Sequence, residues 1–229
     1  MSTVHDDEFG EITVHRNIRA TSVKISVTPS GTLKASLPPY APLFVLKRLL
    51  ASSRNQLRAM LSRHVPAYQL EHGMQIGKSH KLVVGHGKRT YVKMSGLHVV
   101  VSLAEGAKLT DDEVQRMVRD TVIQALRVEA KNYLPKRLAH LAATHGYSYK
   151  KTRFSHASTR WGSCSSNGTI SLNIALMKLP DELIDYVIIH ELCHTKQMNH
   201  SKKFWSLVEK ADPYFKTHRK LLKSQNPTL

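Results

Sequence analysis

Val23, Ile25 and Val27 alternate with polar residues in the segment SVKISVT, the period of a half-buried strand. PSG at 29–31 reads as a turn, and Leu33, Ala35 and Leu37 resume the alternation, so 22–38 predicts a hairpin. From Ala41 the period changes. The apolar positions of APLFVLKRLLASSRNQLRAMLSRHV recur at helical spacing and predict one amphipathic helix. Pro42 suits its first turn, and Lys47, Arg48, Arg54, Arg58 and Arg63 form its solvent face. Short strands follow around HKLVV, TYVKM and LHVVVSL, separated by glycines.

Near residue 105 strands give way to helix, and a boundary is placed there. Residues 1–105 form a basic, β-rich region with one helix, and 106–229 form a second domain. Thr110 and Glu113 stand at capping-box spacing. Val114, Met117, Val118, Val122, Ala125 and Leu126 then recur at helical spacing. Pro135 is expected to kink or break this helix, which resumes through RLAHLAATHG. Two strands are predicted in YSYKKTRFS and GTISLNIAL, with the loop-like STRWGSCSSNG between them. LPDELIDYVIIHELCHTKQM predicts a helix that starts at Pro180, with Asp181 and Glu182 at the positive end of its dipole. The fold class is therefore α+β.

Composition narrows the function. With 229 residues and 41% apolar content the chain can bury a real core. No stretch approaches the roughly 18 apolar residues of a membrane span, so no membrane contact is expected. The start of the chain is acidic and lacks an apolar run, which predicts a cytoplasmic protein without a signal peptide. Cys164 and Cys193 form no disulfide framework and no C-x-x-C pair. The net charge is +17. Residues 12–110 carry fifteen Lys/Arg against two acids, Glu71 and Glu105. Such a field attracts polyanions, so contact with DNA through the basic surface is one expectation and a solvated basic face the other.

The chemistry concentrates in HELCHTKQMNH, residues 190–200. On a helix His190 and His194 leave the same face, and Leu183 and Val187 continue that stripe as a core-facing one. Two such imidazoles can bind one Zn²⁺, and Glu191, about 100° round the helix, can reach a water on that ion. A catalytic zinc needs a third protein ligand and an open position. His200 is the best candidate: Asn199 tolerates a left-handed turn, and Ser201 can cap the next helix, KKFWSLVEKA. Glu209 is the alternative. The spacing also matches the metzincin pattern, but Gln197 stands where that pattern requires glycine. Glu191 would take a proton from water as it attacks a carbonyl and pass it to the leaving amine. Tyr186, Tyr214, Arg160 and His218 remain open as oxyanion donors. Cys193 is expected to pack, with a ligand role as the alternative.

RWGSCSSNGTISLN and HELCHTKQMNHSKKFW together resemble the YgjP-like metallopeptidases, relatives of the SprT and Wss/Spartan proteases among gluzincin-like zincins. The likeness is close from about Thr159 to Trp205 and looser over most of the chain. It implies a zincin-like metallopeptidase domain over 106–229 behind the β-rich N-terminal region. It also implies His190, His194 and His200 as metal ligands, one catalytic Zn²⁺, Glu191 as the catalytic base, and a peptide or protein substrate. The relatives suggest action near DNA. Zincins commonly place an edge strand beside the metal, and Ser163–Asn173 is expected to include it; otherwise Trp161 plugs the core and Gly162 makes a turn. Two other functions stay in view: a metal-dependent nucleotide (UTP-like) pyrophosphohydrolase, and a non-catalytic metal-stabilised nucleic-acid-binding protein. Glu191 speaks against the second, since a structural site has no use for a base.

Overall fold

The structure is a computed structural model that describes residues 2–28, 32–62 and 70–227. It divides into two compact units, Met1–Gln69 and Leu70–Leu229.

In the first unit β1 (Ser2–Asp6), β2 (Gly10–Arg16), β3 (Lys24–Val27) and β4 (Leu33–Leu37) form one sheet in the order β1-β2-β4-β3. The expected hairpin is the antiparallel β3–β4 pair; its turn at 29–31 lies outside the described residues. The acidic start, read from sequence only for what it lacks, is a second hairpin: β1 pairs antiparallel with β2, and Val4, Ile12 and Val14 supply its buried face. The single helix expected over 41–65 is two, α1 (Leu43–Ser52) and α2 (Arg54–Ser62), and 63–69 lie outside the described residues. Leu46, Leu50 and Leu57 share one core with Ile12, Val14, Leu33, Ala35 and Leu37. Arg54 and Arg58, expected as free solvent-face cations, instead pair with Asp6 and Glu8 beside the β1–β2 turn.

The second unit begins with β5 (Lys81–His86), β6 (Tyr91–Ser95) and β7 (His98–Leu103), ordered β5-β7-β6. Then comes α3 (Asp112–His145). The boundary read near 105 falls inside this unit: Val99 and Val101 of β7 share a core with Val118 and Leu126 of α3. Two sequence expectations for α3 change. Asp111, not Thr110, precedes its first turn, and the Asp111 carboxylate accepts from Lys108 N. Pro135 leaves the helix unbroken. Ala130, Leu134, Leu138 and Leu141 are buried on both sides of it and hold one stripe together. Lys131, whose carbonyl loses its usual donor, is an exposed residue.

β8 (Lys151–Ser155), β9 (Gly162–Cys164) and β10 (Thr169–Asn173) make a third sheet, ordered β8-β10-β9. A 3-10 turn at Ile174–Lys178 leads into α4 (Asp181–Cys193), followed by α5 (Lys202–Ala211) and α6 (Phe215–Lys223). Leu183, Ile184, Val187, Ile188 and Leu192 bury α4 nearly all round. The α+β expectation holds. No helix among the described residues is long and apolar enough to cross a membrane.

No periodicity or motif announces how the 77–80 segment is held. The Glu129 carboxylate on α3 accepts from the backbone N–H of Lys78, Ser79 and His80 at 2.6, 2.8 and 2.9 Å, and from His80 Nδ1 at 2.6 Å. Gly77 is packed so closely that an added Cβ would meet the Glu129 carboxylate and stand 2.7 Å from Leu126 Cδ2.

Candidate metal centre

Tyr186, His190 and His194 succeed one another at four-residue intervals on α4, so their rings share one face. α4 ends at Cys193, and His194 follows with near-helical φ −64° and ψ −20°, which keeps its ring in that row. Lys196 N and Gln197 N both close onto the Cys193 carbonyl, turning the chain back. Asn199 does not use the left-handed conformation expected of it; no described residue other than glycine has positive φ. Its side chain does the work instead. Asn199 Oδ1 accepts from Gln197 Nε2 at 2.7 Å and from Ser201 N at 3.3 Å. Ser201 occupies the N-cap position of α5 without a side-chain cap hydrogen bond.

This turn returns His200 to the pair. The ring centroids stand 4.9 Å (His190–His194), 5.1 Å (His190–His200) and 4.7 Å (His194–His200) apart. One ring nitrogen from each lies within 4.8 Å of the others. His190 Nε2 faces His200 Nε2 at 3.1 Å. Two imidazole nitrogens on one tetrahedral Zn²⁺, with bonds of about 2.0–2.1 Å, stand about 3.3–3.4 Å apart. His194 Nδ1–H donates to the Gln197 carbonyl at 3.1 Å, which leaves its Nε2 lone pair for a cation. Burial, helped by the neighbouring His194, His200 and Arg219, pushes His190 down to about 3, so it is neutral at physiological pH. The donor set fits a divalent cation that takes imidazole nitrogen.

Phe204 was not singled out from sequence. It is fully buried on α5 and its ring lies 4.9, 4.5 and 4.7 Å from those of His190, His194 and His200. The signal was present in KKFWSLVEKA, whose apolar stripe begins with Phe204 just after His200. Glu209, the alternative ligand, stands apart on α5, 60% exposed and paired with Lys216.

Glu191 is 6% exposed, and burial pushes its carboxyl up to about 8. Its cover is β9. A Cβ on Gly162 would lie 2.8 Å from both Glu191 Cγ and Glu191 Oε1. Gly162 is therefore not a turn residue; it lets a strand backbone lie against the carboxylate. Trp161 packs, partly buried, against the core. Among the described residues β9 is the edge of its sheet and pairs with β10 alone, inside the segment expected to hold such a strand. Gly162→Ala should force Glu191 or β9 aside and lower turnover by about 10²-fold, the cost of a misplacement of about 1 Å, with metal content unchanged. Elemental analysis alongside a rate measurement checks this.

Among the other candidates, His218 donates from Nδ1 to the buried Asp212 at 2.8 Å, and Tyr214 is 72% exposed. Arg160 is an exposed residue whose backbone carbonyl accepts from Asn173 Nδ2 at 2.9 Å. Cys193 is a buried free thiol whose Sγ lies 3.1 Å from the Tyr147 hydroxyl. A cleft of about 640 Å³ lies elsewhere, lined by Lys78, Met94, Leu97, Tyr133, Lys136 and His140 among others. It holds none of the three histidines.

Comparison with known proteins fits a metal-handling centre. A model of the YgjP-like metallopeptidase domain matches residues 21–225. No curated protein matches the chain. Among solved structures, the metallopeptidase zymogen abylysin of Pyrococcus abyssi is 31% identical with a TM-score of 0.37, covering 42% of this chain and 98% of its own. The metallopeptidase zymogen jannalysin of Methanocaldococcus jannaschii is 19% identical with a TM-score of 0.35, covering 39% of this chain and 94% of its own. The family match takes in both the triad and the strand that covers Glu191, and the chain belongs to the YgjP-like metallopeptidase family.

Proposed function

We propose that the protein is a zinc-dependent peptidase in which His190, His194 and His200 hold the ion and Glu191 is the general base. The observation that carries this reading is the convergence of three ring nitrogens within 4.8 Å of one another. Zinc bound there would supply Lewis acidity, polarising the scissile carbonyl and bringing a coordinated water's pKa toward about 7. The positive charge of the bound ion would offset the burial that raises Glu191, so its carboxylate can take the proton as water attacks and deliver it to the leaving amine. Burial under β9 shields that carboxylate from bulk water and fixes its direction. The free edge of β9 suits an extended peptide added as a further strand, which would lie beside the base. Contact with DNA belongs to the proposal on the strength of the +17 net charge. Binding that does not weaken with salt would remove it.

Purified protein should contain about one zinc per chain and hydrolyse a casein-like substrate. Folded protein that arrives without metal, or that cleaves UTP and no peptide, sinks the proposal. His200→Ala should leave the helix pair in place and bring bound zinc well below that of the parent at equal free metal. Full retention of zinc in this variant would remove His200 from the ligand set.

A further inference from the structure

Trp205 of α5 lies against the candidate centre, its ring 5.7 Å from that of His200 and 5.9 Å from that of His190. A row of α6 covers this indole. Phe215 stacks on it at 5.7 Å and 20°. One turn later the Arg219 guanidinium lies 4.5 Å from the ring centroid. A guanidinium placed over an indole is attracted through its charge and can still offer N–H donors to a planar anion. Nearby carboxylates are otherwise engaged: Glu209 pairs with Lys216, and Asp212 holds His218. Arg219 has no carboxylate partner among the described residues.

We propose that Arg219, held over Trp205 beside His190 and His200, receives a carboxylate of the substrate and makes the enzyme select peptides that carry one near the scissile bond. The inference rests on the peptidase reading. The carboxylate has two sources, an Asp or Glu side chain or a free C-terminus. Arg219 acts here by binding and takes no part in the proton transfers assigned to Glu191.

The zinc-loaded full chain is assayed on peptides that place Glu, Gln or Lys in turn at each position flanking the cleaved bond, with free or amidated C-termini. Glu should exceed matched Gln in kcat/KM by on the order of tenfold at one position, mostly through KM. If the C-terminal carboxylate is the ligand, the same factor separates free from amidated ends instead. Arg219→Gln should bring that ratio to about one, and Arg219→Glu should turn it toward Lys, which loss of a purely structural clamp on Trp205 would not do. A preference that is absent from the parent, or that survives in Arg219→Gln, overturns the proposal. If no peptide is cleaved, the peptidase reading fails by itself. Titration of N-acetylglutamate against N-acetylglutamine then decides the carboxylate site: binding of the first alone, lost in Arg219→Gln, supports it, and equal or absent binding overturns it.

Discussion

Glu191→Gln should keep about one zinc per chain and lose peptide hydrolysis by about 10²–10⁴-fold, the usual span for a general base. The amide fills the volume of the carboxylate, which matters because Gly162 leaves no slack beside Cγ and Oε1. It cannot take a proton from water. The three histidines are untouched, since none of them hydrogen-bonds to Glu191. Elemental analysis and a rate on one preparation separate the two effects. Hydrolysis that survives at parental rate would show that the proton goes elsewhere, and loss of zinc with activity would move Glu191 from base to structural support. Glu191→Asp tests the same point by position: its carboxylate withdraws by about one C–C bond, roughly 1.5 Å, so a rate well below the parent with metal retained is expected.

Glu129→Ala should cost about 3–5 kcal/mol of stability, readable as a lower urea midpoint. The change strands three backbone N–H groups and His80 Nδ1, all now satisfied by one carboxylate. Burial alone would raise the Glu129 carboxyl. The His80 bond and the three backbone bonds outweigh it and hold the pKa below the ordinary value. The sign follows: a carboxyl lowered in the folded state contributes stability above its unfolded pKa, and loses it as pH falls through the folded value. Glu129→Gln should therefore be less stable than the parent near neutrality and less sensitive to acid below the ordinary carboxylate range. Equal acid sensitivity in parent and variant would refute the assignment.

Periodic segments were the legible ones. Val23, Ile25 and Val27 marked β3 because a half-buried face leaves a fixed period in the sequence, and the apolar run around Val187 marked α4, which is buried nearly all round. His190 and His194 were legible together because four residues bring the chain back to the same side of a helix. His200 was harder: its return depends on Asn199 Oδ1 closing a turn, a contact with no period. Phe204 and Gly162 were missed for the same reason. Each matters through a neighbour distant in sequence, the three imidazoles in one case and Glu191 in the other. Pro135 misled because proline propensity is local, whereas the stripe from Ala130 to Leu141 is held by the whole core.

Phe204 has a consequence for how the centre is made. Its ring packs against all three imidazoles and is itself buried in the core. The packing of this one ring therefore helps set the spacing of the third histidine from the helix pair. A zinc finger folds only with its metal; a unit whose apolar core is built from Leu126, Leu138, Ile188 and Phe204 as well should stay folded when a chelator withdraws the ion.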